Sequence, residues 1–153
     1  MKNLLIVYHS KAGKNLKMAE AVYKGACNGE VEGVDVRYLS AFDATDQDLL
    51  WADGLILGTP ENFGYMSGAL KDFFDRTFYE VEGKVDGKPY CIFIGAGNDG
   101  QGALMSIHRI CLGYNFKEIQ EPIIVVGDLS EDDLTSCEEL GMGFAAGLEA
   151  GIF

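Results

Sequence analysis

Residues 10–17 read Ser-Lys-Ala-Gly-Lys-Asn-Leu-Lys, and they place three of the chain's twelve basic residues, Lys11, Lys14 and Lys17, in one short stretch. An apolar run, Leu4–Tyr8, precedes them and helical spacing follows. A buried strand, a short loop of small residues and a helix start together form an anion site, because loop N–H groups and the positive helix end face the same spot. The ligand expected there is a phosphate. The alternative is a set of surface lysines at an ordinary helix start. Gly13-Lys14 also resembles the end of an ATPase P-loop, but that loop needs a glycine at position 8 and a Ser or Thr at position 15. Tyr8 and Asn15 stand there instead. Without the turn glycine and the magnesium-binding hydroxyl, a monophosphate fits better than a triphosphate.

Two further loops carry unusual residues. Residues 58–68 run from Gly58-Thr59-Pro60 through Glu61, Asn62, Phe63, Gly64 and Tyr65 to Gly68, with two aromatics outside any helical face. Phe63 and Tyr65 are candidate platforms for a flat heterocycle, whose edge the loop amides would read, or they fold back onto the core. Pro60 fixes its own φ and disfavours helix at Thr59, which predicts a rigid turn. Residues 95–102, Gly-Ala-Gly-Asn-Asp-Gly-Gln-Gly, match the G-x-G-x-x-G string between a strand and a helix. A direct dinucleotide site is disfavoured, because the string lies on the fourth strand and no ribose-binding acid follows at the right spacing. Glu61, Tyr65 and His108 are conceivable proton donors, and none is assigned as catalytic.

The elements that must position these loops follow from periodicity. Apolar runs at residues 4–8, 34–39, 54–58, 90–95 and 123–127 each precede a loop and then helical spacing. Leu16, Ala19, Tyr23 and Ala26 mark the first helix face, and Leu70, Phe73, Phe74, Thr77 and Phe78 the next strong one. Leu104, Ile107 and Cys111 mark a fourth-strand helix, and residues 134–148 a long C-terminal one. The segment after the second strand is weakly helical, with Asp46 as a candidate N-cap for a short turn through Leu50. Strands alternating with helices imply an α/β chain with a parallel sheet covered on both faces. Ligands then bind outside the carboxyl ends of the strands, which brings the loops after strands one, three and four to one place.

With 153 residues, the chain is expected to form one domain over its whole length. No apolar run approaches the roughly 20 residues that span a bilayer, and a cytoplasmic location is expected. Cys27, Cys91, Cys111 and Cys137 lie far apart and form no zinc pattern with His9 and His108, so buried reduced thiols and no metal are expected. A formal net charge of −12 argues against nucleic acid and anionic membranes as partners. It is compatible with a protein partner that presents a basic face.

Residues 8–15, Tyr-His-Ser-Lys-Ala-Gly-Lys-Asn, together with Gly58-Thr59-Pro60, Phe63-Gly64 and Asp75-Arg76-Thr77, resemble the flavodoxin-like family and, within it, the NAD(P)H-dependent FMN reductase and quinone reductase branch. The resemblance implies a three-layer sandwich around a five-stranded parallel sheet of order 2-1-3-4-5, with FMN as cofactor. It further implies that Ser10, Lys11, Ala12, Gly13, Lys14 and Asn15 hold the phosphate. Thr59, Pro60, Glu61, Asn62, Phe63 and Gly64 would line the isoalloxazine, and Gly97, Asn98, Asp99, Gly100 and Gln101 would close its other side. Ala12 and Asn15 replace the family's usual hydroxyl residues, a loss of about 1.5–3 kcal/mol of binding for each missing charge-assisted hydrogen bond. The implied activity is electron transfer from NAD(P)H to a quinone or similar small acceptor. A carrier flavodoxin and a non-catalytic flavin sensor are the alternatives. Carriers of this kind usually sandwich the flavin between two aromatics, and residues 97–102 contain none, which favours the enzyme.

Overall fold

The computed structural model describes residues 1–11 and 13–153. The elements run β1 (Lys2–Tyr8), α1 (Gly13–Ala26), β2 (Val34–Ser40), α2 (Asp46–Trp51), β3 (Gly54–Asn62), β4 (Tyr65–Met66), α3 (Gly68–Val81), β5 (Pro89–Ala96), α4 (Gln101–Tyr114), β6 (Lys117–Glu118), β7 (Ile123–Val126) and α5 (Glu131–Ala150). β2, β1, β3 and β5 lie side by side and parallel, and the short β6 and β7 both pair parallel with β5. Counting only the five strands expected from the sequence, the order is 2-1-3-4-5. The fold is flavodoxin-like.

The central strands are near-continuous apolar runs because both faces of a parallel sheet are covered. Leu4 and Ile6 point into a core shared with α1 and α5, whereas Leu5 and Val7 point into a core shared with α2, α3 and α4. Side chains such as Phe73, Phe93, Phe144 and Leu57 are fully buried, and each contributes about 1.5–3 kcal/mol relative to exposure. α1 and α5 cross closely. A Cβ on Gly25 would sit 1.9 Å from the Glu138 carbonyl oxygen, and one on Gly141 would sit 2.0 Å from that of Val22.

Several local expectations are corrected. The buried face of α1 is Asn15, Met18, Ala19, Val22, Gly25 and Ala26, leaving Leu16 and Tyr23 partly exposed, because close packing on α5 selects the small residues. Thr45 caps α2, with its N–H donating to the Asp48 carboxylate at 2.8 Å, and Asp46 is the first helical residue. Cys27 is exposed while the other three thiols are buried. β3 continues through Pro60 to Asn62, so the turn begins later than expected.

Candidate functional site

At the carboxyl end of the sheet, a cleft of about 530 Å³ is lined by Lys11, Lys14, Asn15, Pro60, Asn62, Gly95, Ala96, Gly97 and Gly127. These residues come from the first turn of α1 and from the ends of β1, β3, β5 and β7. The volume falls within the roughly 300–1,000 Å³ of small-molecule sites. α1 starts at Gly13 with no acidic residue in its first turn, so no carboxylate of that turn competes for amide donors that have no carbonyl partner within the helix. A phosphate monoester fits that end of the cleft. Ala12, one of the residues expected to hold it, lies outside the described residues.

The other residues of this loop divide by role. Lys11 is exposed and lines the cleft. Lys14 turns toward the sheet, where its ammonium donates to the Ala96 carbonyl at 3.0 Å, to the Val125 carbonyl at 2.9 Å and to the Gly127 carbonyl. It therefore ties together the ends of β5 and β7. Burial lowers its pKa, against the opposing pull of Asp128 and Asp133. Asn15 is buried, and its side-chain oxygen accepts from the Gly95 N–H at 3.2 Å. Gly95 has no room for a side chain, since a Cβ there would meet the Asn15 amide at 2.8 Å. The first glycine of the G-x-G-x-x-G string thus serves helix-to-strand packing.

The segment after β3 is a hairpin. Asn62 pairs with Tyr65 and Glu61 with Met66. Phe63 and Gly64 form the tip with φ of 52° and 67°, the sign that a two-residue type I′ turn demands at both positions. Phe63 is fully exposed and Tyr65 is 41% exposed, so neither ring folds back onto the core. Thr59 is buried beneath the hairpin, accepting from the Ser67 N–H at 2.9 Å and donating to the Pro60 carbonyl at 2.8 Å. It shapes the segment and presents no hydroxyl to the cleft.

Glu61 links this hairpin to the loop after β5. Its carboxylate accepts from the N–H of Gly100 at 3.3 Å and of Ala103 at 3.2 Å, capping the start of α4 from another element. Gly100 has φ of 73°, and the Asp99 carboxylate accepts from the Gln101 N–H at 3.0 Å, so the loop turns sharply into the helix. A Cβ on Gly102 would lie 2.0 Å from the Gly64 carbonyl oxygen. The hairpin tip rests on the first turn of α4. Gly97 has open space above it, while Asn98, Asp99 and Gln101 do not line the cleft described above. Sequence reasoning missed Gly127, whose position after β7 marked it as a strand-end residue. His108 pairs with Glu118 at 2.9 Å and lines a separate cleft with Gly64, Tyr65 and Gly102, outside the strand-end cleft.

A "Flavodoxin" of Aquifex aeolicus is 34% identical, with 95% of this chain and 86% of the relative covered. An "NAD(P)H dehydrogenase (quinone)" of Acidithiobacillus ferrooxidans is 33% identical over 71% of this chain and 65% of the relative. A flavodoxin structure from the domain Archaea superposes with a TM-score of 0.80 at 24% identity, covering 96% and 99% of the two chains, which shows the shared fold. The sequence model of the NADPH-dependent FMN reductases matches residues 2–128, a span that contains the lysine-bearing loop, the hairpin and the glycine loop. A chain with that match and that strand-end cleft belongs to the NADPH-dependent FMN reductase family, whose members are FMN-dependent oxidoreductases.

Proposed function

We propose that the protein binds FMN in the strand-end cleft and uses it to pass electrons from NAD(P)H to a quinone or similar small acceptor. The observation that carries this reading is the 530 Å³ cleft itself, which has the α1 helix start at one end and small residues, Gly95 to Gly97, along one wall. Bound FMN supplies the two-electron chemistry. The chain supplies binding and orientation. The first turn of α1 and the exposed Lys11 face the phosphate. Asn62 and Pro60 form one side of the ring site, with Phe63 at its rim. Residues 97–102 contain no aromatic side chain, which leaves one ring face open for a second planar molecule to stack at reacting distance.

A carrier role is the second reading, favoured by the Aquifex aeolicus relative named as a flavodoxin. Titration with FMN should give one site per chain with quenched flavin fluorescence. The loaded protein should then turn over a small quinone with NADPH or NADH as donor. Binding without turnover, together with rapid reduction by a separate reductase, would favour the carrier.

A further inference from the structure

The outer face of α4 is apolar where a surface helix is ordinarily polar. Met105 and Leu112 are 69% and 75% exposed, and their spacing of seven residues puts both on one side of the helix. Two grooves flank this ridge. One, of about 810 Å³, runs between α4 and the β3–β4 hairpin, with Tyr65, Met105, Arg109 and Leu112 in its lining. The other, of about 310 Å³, runs between α4 and α3, with Lys71, Asp75, Tyr79, Ile110 and Gly113 in its lining. Tyr79 is 82% exposed at its edge. A monomer rarely keeps so many large apolar side chains together in water. Gly113 adds a separate sign. It sits in the last turn of α4, where glycine weakens a helix relative to alanine, yet a Cβ there would meet nothing within 4 Å. The chain's own packing has no use for that glycine, whereas a surface pressed into the groove would.

What covers the face follows from its charge and size. The charged groups along the two grooves are Lys71, Asp75 and Arg109, with His108 held by Glu118 at 2.9 Å. The face is therefore close to neutral in a chain of net charge −12, and two copies can meet through it without the repulsion that their acidic surfaces impose. A strongly basic partner finds no acidic patch here. The charges are also self-complementary. Arg109 has no ion-pair partner among the described residues, and Asp75, which holds Lys71 at 2.7 Å, keeps a carboxylate side chain that is 63% exposed. A two-fold axis normal to the face, midway between Asp75 and Arg109, lays each copy's Arg109 over the other copy's Asp75. The 14 residues of α4 are about 21 Å long. With α3 and the hairpin beside it, the face measures roughly 20 Å by 25 Å, so a two-fold contact buries roughly 1,000 Å² in all, the size at which an interface becomes specific.

We propose that the α3–α4 face is a two-fold interface between two copies of this chain, with Leu112 and Tyr79 buried in it and reciprocal Arg109–Asp75 pairs fixing its register. The inference goes beyond the flavin reading and does not depend on it. Tyr65 lines the same face, so the second copy lies against the hairpin that borders the strand-end cleft.

The test is sedimentation equilibrium of the full chain in the presence of FMN, from about 1 μM to about 200 μM. The expected result is a reversible monomer–dimer equilibrium with no larger species, as a closed two-fold contact requires. Leu112→Asp should weaken association by at least about tenfold. Arg109→Asp and Asp75→Arg should each weaken it by about tenfold, and the double variant should recover most of the loss. Gly113→Leu should fill the groove and weaken association while leaving the helix intact. All four positions are exposed, so far-ultraviolet circular dichroism should match the wild type and show that each variant folds. A chain that stays monomeric up to about 200 μM would overturn the proposal and leave the face to a different partner. A dimer indifferent to Leu112→Asp, or single charge reversals that the double variant fails to restore, would overturn it as well.

Discussion

Lys14 donates to three carbonyl oxygens that end two different strands, so its loss should reach further than that of a surface lysine. Lys14→Met removes donors without shortening the side chain much, and it should lower stability by roughly 1–2 kcal/mol in chemical denaturation. FMN affinity should fall with it, because residues 95–97 and 127 lose their tie. An unchanged denaturation midpoint would show that these contacts contribute nothing net. His9 gives a pH prediction. Partial burial first, and Lys11 second, hold its pKa below the ordinary 6.5. The folded chain then binds the proton less readily than the unfolded chain. His9 therefore has no effect well above 6.5 and subtracts stability as pH falls through 6.5 toward the lowered folded value. His9→Gln should lose less thermal midpoint than wild type between about pH 7 and pH 5.5, and parallel losses would remove His9 from the balance. Such residue-level roles were only partly legible in the sequence. The lysine cluster marked the loop, yet nothing in the spacing said that Lys14 would turn to strand-end carbonyls while Lys11 stayed exposed, since side-chain direction depends on β7 and on residues more than a hundred positions away.

The β3–β4 hairpin shows how an element can hold strain for a purpose beyond stability. Phe63 has φ of 52° and is fully exposed, so its ring contributes little to packing while its backbone sits in a region that L side chains disfavour by about 1–3 kcal/mol. Phe63→Gly should raise the thermal midpoint and weaken FMN binding. A lower midpoint would show that the ring has a structural role. The start of α4 behaves oppositely. Gly102→Ala brings a Cβ to 2.0 Å from the Gly64 carbonyl oxygen, which must push the hairpin off α4 and break the Glu61 contacts. That variant should lose about 1–3 kcal/mol and most of its flavin affinity, read by denaturation and FMN titration. At this scale the sequence was informative where patterns are local: five strands and their alternation with helices followed from apolar runs. It was weak where tertiary contacts decide. β3 reaches Pro60 because Pro60 pairs with Gly95, and runs on to Asn62 because Glu61 and Asn62 pair with β4, and the face of α1 is set by contact with α5, which outweighs the spacing of Leu16 and Tyr23.

Over the whole molecule, 24 acidic against 12 basic residues leave a net charge of −12, and self-repulsion of that size opposes the compact state. Raising sodium chloride from about 20 mM to about 300 mM should increase the thermal midpoint by a few degrees, as screening shortens to within a side-chain length. A midpoint that falls would mean that attractive pairs such as Arg37–Asp48 outweigh the repulsion. Against this acidic background the strand-end cleft stands out as a place where backbone donors and Lys11 can hold an anionic cofactor. Whether that cofactor exchanges electrons directly with a nicotinamide is the question on which the enzymatic reading turns. Anaerobic stopped-flow mixing of the FMN-loaded protein with NADPH or NADH answers it. The expected result is bleaching of the oxidised-flavin absorbance at a rate that rises with nicotinamide concentration. A flavin that stays oxidised with both nicotinamides, yet is reduced rapidly once a separate reductase is added, would contradict the enzymatic reading and leave the protein an electron carrier.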